Sequence, residues 1–174
     1  PWCGTFLIPK EKESQNYYGI MFSHTSFKLF CPSEGCFFHH ALPLNIIDSH
    51  LYEKPPTFLV GTIDKFARLA WLEEPGVFLG SKEGTSPPSL IIQDELHLIS
   101  GPLGTIAGVY EAAFDRVIEK WGGKPKYIAA TATIKGSKDQ CKKLYNRDVN
   151  LFPPSGNEAE HSFFSTPNRD SAGR

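Results

Sequence analysis

The sequence predicts an α/β domain built on a parallel sheet and preceded by a small Cys/His-rich segment. Three short apolar runs, Phe58-Leu59-Val60, Ser89-Leu90-Ile91-Ile92-Gln93 and Tyr127-Ile128-Ala129-Ala130, are separated by stretches of helical spacing. Nearly continuous apolar strands alternating with helices belong to parallel sheets covered on both faces. The first fifty residues differ in kind. They hold Cys3, Cys31 and Cys36 and the histidines His24, His39, His40 and His50, with many aromatics and few runs of helical period.

Within residues 1–50, short β-like pieces are expected at 5–8 and 26–30. Residues 51–56 read as a connection, because Pro55-Pro56 blocks regular structure. The first strand ends at Gly61, and a helix follows over 63–72 with Thr62 as its cap. Residues 75–88 are a Gly/Pro/Ser-rich loop. The second strand ends in acidic residues, and Gly101-Pro102-Leu103-Gly104 reads as a turn. From 105 to 121, Ile106, Val109, Tyr110, Ala113, Phe114, Val117, Ile118 and Trp121 keep a helical period until Gly122-Gly123 stops it. The third strand precedes a helix over 137–145, and residues 153–174 read as a polar linker or tail. The expected domain limits are therefore 1–50, 51–152 and 153–174.

Of the 174 residues, 40% are hydrophobic and 21% charged, and the formal net charge is -1. That balance fits a soluble domain and excludes a generic polybasic nucleic-acid binder. No run of about 18 apolar residues occurs, which excludes a transmembrane helix. Pro1-Trp2-Cys3-Gly4 has neither the basic nor the apolar region of a secretory signal, and no initiator Met. The chain is thus expected to be a fragment or processed product in a cytoplasmic, reducing compartment, its cysteines free or metal-binding rather than paired.

Parallel sheets gather their chemistry just beyond the carboxyl ends of the strands. Asp94-Glu95-Leu96-His97 stands there, two adjacent carboxylates and a histidine. Phosphoryl transfer from a nucleotide needs one carboxylate to hold a Mg²⁺ shell and a second group to orient or deprotonate water. Asp94 suits the first role and Glu95 the second; the plainer reading is an acidic first turn of a helix. Thr131-Ala132-Thr133 ends the next strand, where small hydroxyl residues can bond neighbouring carboxylates or simply cap a helix. At Gly61-Thr62-Ile63-Asp64-Lys65, a close turn and a helix N-terminus could meet a phosphate with Lys65 adding a cation. A capped helix with a surface lysine explains that segment equally well.

In order and spacing these three segments resemble superfamily 2 helicases and translocases. Asp94-Glu95-Leu96-His97 is similar to the DExH form of motif II, the Walker B box. Thr131-Ala132-Thr133 is similar to motif III, and Gly61, Thr62 and Lys65 fall in the position of motif Ib, which touches the nucleic-acid backbone in that family. The longer strings GTIDKFA, DELHLISGPLGT and ATATI most resemble the DrmA-type helicase family of DISARM anti-phage systems. The resemblance covers about residues 57–154 and implies a partial RecA-like three-layer fold. It further implies hydrolysis of Mg-ATP coupled to movement on DNA or RNA. Glu95 and Asp94 would be catalytic, Asp94 holding Mg²⁺ through water, and His97, Thr131, Ala132 and Thr133 would couple the nucleotide and nucleic-acid sites. No G-x-x-x-x-G-K-[ST] occurs in the chain. The resemblance therefore implies the latter half of a first motor domain, whose partners are the remainder of the helicase, including a second RecA-like domain, and defence-complex subunits.

Cys31-Pro32-Ser33-Glu34-Gly35-Cys36 is a tight knuckle, and Pro1-Trp2-Cys3-Gly4 reads like the second half of another. Zinc takes four such ligands, often from two short loops. Cys3, Cys31 and Cys36 are the expected ligands of a zinc-ribbon-like segment, with a fourth cysteine ahead of Pro1, or His39 or His40 in its place. Buried free thiols are the alternative. Residues 116–147 carry nine Lys/Arg against two Asp/Glu, which suits either nucleic acid or a solvated surface. A zinc-stabilised binding module without turnover remains the competing function.

Overall fold

The structure is a computed structural model and describes residues 2–8, 18–23, 26–132, 135–154, 156–157, 161–162, 164 and 168. It divides into two compact units, Pro1–Ser86 and Pro87–Arg174.

The first unit opens with an antiparallel hairpin of β1 (Ile20–Phe22) and β2 (Phe27–Leu29), in register Ile20↔Leu29 and Phe22↔Phe27. β2 lies where the sequence expects a β piece, whereas β1 is new. Residues 5–8 form no strand, although the Gly19 amide donates to the Leu7 carbonyl at 2.7 Å. Gly19 is required there, because a Cβ would fall on the Phe30 carbonyl oxygen. Two short helices follow, α1 (Asp48–Glu53) and α2 (Ile63–Ala67), the second continued by a 3₁₀ turn over Arg68–Ala70.

Two expectations need correction in this unit. Phe58-Leu59-Val60 is not a strand. Phe58 is 77% and Val60 80% exposed, and a strand without a hydrogen-bonded neighbour has nothing to hold it extended. The expected 75–88 loop begins inside a 3₁₀ helix, Glu74–Leu79, which buries Pro75, Gly76, Val77 and Leu79. Pro75 suits its first turn, where an N–H has no partner to lose, and Gly80 ends it at φ +88°.

The second unit pairs β3 (Leu90–Gln93) with β4 (Lys126–Ala129) in parallel, Leu90 against Lys126 and Gln93 against Ala129. Between them runs α3 (Gly101–Lys120), and α4 (Ser137–Tyr145) follows and packs on α3. The Gly101–Gly104 segment is the first turn of α3 rather than a separate turn, since Pro102 needs no N–H partner at a helix start. Gly122 stops α3 at φ +79°, and the Gly123 amide returns to the Ile118 carbonyl at 2.8 Å. Leu96, Ile99, Ala107, Ile118, Cys141, Leu144 and Tyr145 make the core.

The parallel pairing agrees with the sequence; the extent of the sheet does not. Among the described residues it has two strands, and Leu90, Ile92 and Ile128 lie exposed on one face. Coverage on both faces is thus absent here, and the apolar strands leave one row of side chains in solvent.

A half-buried ionic cluster fastens α3, β4 and the segment after α4. Arg147 donates to both Asp115 oxygens at 3.0 Å, and the Tyr127 hydroxyl donates to Oδ1 of the same carboxylate at 2.6 Å. The Arg147 guanidinium sits 4.7 Å over the Tyr127 ring. Burial, with the Asp115 charge beside it, pushes the Glu111 carboxyl up to about 7. Four of the nine cations of the expected basic stretch are paired: Arg116 with Glu119, Lys142 with Asp148, Lys143 with Asp139 and Arg147 with Asp115.

Candidate functional site

Asp94 and Glu95 leave the carboxyl end of β3 together, both exposed. The Glu95 backbone is left-handed, φ 49° and ψ 44°, a conformation a non-glycine residue adopts only when its surroundings enforce it. Those surroundings are specific. The Asp94 carboxylate accepts from the Glu95 amide at 2.9 Å, and the Leu96 amide donates to the Ala130 carbonyl at 2.9 Å. That second bond crosses to the end of β4 and extends the parallel ladder beyond the strands. Leu96–Leu98 then forms a single 3₁₀ turn, with Leu96 buried beneath it.

His97 stands on this turn between two partners. Its Nδ1 lies 3.3 Å from Glu95 Oε2 and 3.5 Å from the Ala132 amide nitrogen. One nitrogen cannot serve both. Protonated, Nδ1 donates to the carboxylate; unprotonated, it accepts from the Ala132 N–H. His97 Nδ1 can therefore pair with the Glu95 carboxylate or with the Ala132 amide, according to its protonation.

The structure brings Asp94, Glu95, His97, Thr131 and Ala132 to one edge of the second unit, at adjacent strand ends. Thr133 lies outside the described residues. Gly61, Thr62 and Lys65 belong to the first unit. Thr62 occupies the position before α2, but its side chain makes no capping bond there. A side chain at Gly61 would crowd the Phe66 ring, 3.3 Å from an added Cβ. Lys65 Nζ contacts both Asp48 oxygens, at 3.0 and 2.7 Å, and Arg68 adds a bond to Asp48 at 3.2 Å. The Lys65 hydrogen bond and the two cations hold the Asp48 carboxyl below its usual range, and the trio keeps a net positive charge.

The sequence reading missed Gln140. Its side-chain amide donates to the carbonyls of Leu96 at 2.8 Å and Ile99 at 2.7 Å. A signal was present. Ser137, Cys141, Leu144 and Tyr145 form the buried stripe of α4, and Gln140 falls within it by helical spacing. A glutamine on a core-facing stripe must find partners for its amide.

In the first unit, the sulfurs of Cys3, Cys31 and Cys36 all lie within 4.8 Å of one another, and Cys3 Sγ is 3.5 Å from Cys31 Sγ. Thiolates at about 2.3 Å from a tetrahedral zinc sit about 3.8 Å apart, so three of four ligands fit. Local backbone bonds build the knuckle: the Cys36 amide donates to the Ser33 carbonyl at 3.1 Å and the Cys31 amide to Phe38 at 2.8 Å. Gly4, just after Cys3, has φ +82°. Hydrogen bonds from Thr5, and one with Cys31, lower the Cys3 thiol to about 6. A backbone bond from Phe38 lowers Cys36, but burial and the neighbouring sulfurs outweigh it and raise that thiol. His39 turns its Nδ1 to the Cys31 carbonyl at 3.0 Å, and neither His39 nor His40 joins the sulfur cluster. Cys141 is a buried core residue of α4 whose thiol burial pushes up.

No described helix is long and apolar enough to cross a membrane. No family model matches the chain. Across an alignment of 207 positions that takes in 95% of the chain, it is 37% identical to the DISARM protein DrmA of Bacillus paralicheniformis (strain ATCC 9945a / NCIMB 11709 / CD-2). The match covers 18% of that protein's length, so the chain spans less than a fifth of its relative. The chain is thus a DrmA-like sequence with a three-cysteine cluster and a small parallel sheet, related to one segment of a much longer protein.

Proposed function

We propose that the chain forms part of an ATP-dependent helicase or translocase that acts in anti-phage defence. Residues 51–152 supply the later portion of its first RecA-like domain, residues 1–50 a zinc-stabilised insert, and 153–174 a linker. The observation that carries this reading is the joined strand end, where Leu96 and His97, directly after Asp94-Glu95, are tied to Ala130 and Ala132 beyond β4. The relationship to DrmA supports it.

Asp94 holds the Mg²⁺ of Mg-ATP through water. Magnesium, when bound, neutralises charge on the β- and γ-phosphates. Glu95 orients the attacking water and takes its proton, and its exposed carboxylate suits that role. His97 exchanges between Glu95 and Ala132 and, with Thr131 and Thr133, relays the state of the nucleotide site to the nucleic-acid site. Gly61, Thr62 and Lys65 meet the backbone of DNA or RNA; Lys65 then exchanges Asp48 for a phosphate. The remaining helicase, including its second RecA-like domain, and other defence subunits complete the assembly in the cytoplasm.

The cysteine cluster favours a second reading, a zinc-stabilised binding module without turnover. Nucleotide binding by the full-length protein separates the two. Asp94→Asn is expected to weaken Mg²⁺-dependent ATP binding while leaving folding intact. Equal Mg²⁺-ATP affinity in wild type and variant, by calorimetry, would favour the binding module.

A further inference from the structure

We infer that Gln140 is a positioning residue for the acidic turn, its side-chain amide fixing the Leu96–Leu98 turn and thereby the placement of Glu95 and His97. The inference rests on the reading of Asp94-Glu95-Leu96-His97 as the hydrolytic end of the sheet.

The geometry assigns the role. Both acceptors, the carbonyls of Leu96 and Ile99, bracket the turn that carries His97. A carbonyl only accepts, so both bonds require the amide nitrogen, and its two hydrogens are both used. The partners are 44 and 41 residues away in sequence, so the clamp is tertiary rather than a local turn device. Leu96 and Ile99 are themselves buried, at 1% and 8% exposure, so water does not readily replace Gln140 as their donor.

The same turn is held from its other side by the end of β4, through the Leu96 amide on Ala130 and the His97 ring on Ala132. The chain from Ala132 leads within a few residues to Gly136, whose carbonyl accepts the Gln140 backbone amide at 3.0 Å. The turn is therefore clasped between a strand end and the helix that follows it. A shift of α4 moves the Gln140 amide and both carbonyls it holds. Glu95 immediately precedes the turn in a left-handed conformation, and its carbonyl accepts the Leu98 amide at 2.9 Å, so the shift reaches Glu95 through the turn itself. α4 thereby becomes the lever through which movement after the 131–133 segment sets the hydrolytic carboxylate.

The test compares four variants of the full-length protein. Gln140→Met keeps the length of the side chain and removes both donors; Gln140→Glu replaces the donors by acceptors facing two carbonyls. Leu144→Ala removes packing from the same face of α4 without touching the clamp, and Glu95→Gln calibrates the site. Both Gln140 variants are expected to lose turnover, roughly tenfold or more, with KM for ATP within about twofold of wild type. Leu144→Ala is expected to lower Tm at least as much and keep its kcat. Full kcat in either folded Gln140 variant, while Glu95→Gln is inactive, overturns the inference and leaves the site reading standing. An active Glu95→Gln overturns both. Failure of both Gln140 variants to fold also overturns it, since a clamp whose loss unfolds the domain is structural rather than positional.

Discussion

At the residue scale, the most informative position is Glu95. A left-handed non-glycine backbone costs on the order of 1–3 kcal/mol, and strain of this kind collects at functional sites. Glycine adopts the same angles at no steric cost. Glu95→Gly is therefore expected to be about 1 kcal/mol more stable than Glu95→Ala, the reverse of the usual glycine penalty. Chemical denaturation of the two variants checks this, and a less stable Glu95→Gly would mean that the backbone here is not left-handed. The sequence made the acidic pair and His97 readable, because charged residues follow directly on an apolar strand. It carried no sign of the Glu95 backbone angle; the turn that follows Glu95 is held by Ala130 and Gln140, far along the chain. The cysteines were legible for a related reason: their ligand chemistry is local to two short loops, and the three sulfurs do converge. His39, the alternative fourth ligand by spacing, has its Nδ1 on the Cys31 carbonyl and lies outside the cluster of three sulfurs.

At the scale of elements, the Cys knuckle and the β1–β2 hairpin share a short stretch of chain with few buried apolar side chains; Cys31 and Cys36 are themselves part of the core. A metal held by the three sulfurs would supply folding free energy that so small a hydrophobic cluster cannot. The full-length protein is expected to carry zinc by elemental analysis and to lose it in Cys31→Ser or Cys36→Ser, with protease sensitivity rising in residues 18–40. Zinc-free wild type with an intact hairpin would contradict this. The long helix was legible because its apolar period, Ile106 to Trp121, runs over about four turns. The first strand failed because apolar composition describes burial, not pairing. Phe58-Leu59-Val60 pairs with no strand among the described residues, and Phe58 and Val60 stay exposed. The 3₁₀ helix at Glu74–Leu79 was hidden by its Pro and Gly, which here punctuate a buried turn rather than a surface loop.

At the scale of the whole molecule, two consequences follow from charge and exposure. Glu111 interacts with Asp115, Tyr127 and Tyr145, and its carboxyl is raised to about 7 by burial and the Asp115 charge. Folded chains hold that proton where unfolded ones have released it. Stability of the second unit is therefore expected to fall as pH rises from the ordinary carboxylate range through about 7, by on the order of 2 kcal/mol. Glu111→Gln should flatten this dependence and stabilise the unit at pH 8; an unaltered profile would remove Glu111 as its source. The exposed face of Leu90, Ile92 and Ile128 and the short match to DrmA both fit a chain that works within a longer protein. The central claim is that Glu95 acts as the hydrolytic base in that protein. Single-turnover ATP hydrolysis by full-length Glu95→Gln tests it most directly. The account predicts that ATP still binds while hydrolysis falls by roughly 10²-fold or more; hydrolysis at the wild-type rate would contradict it.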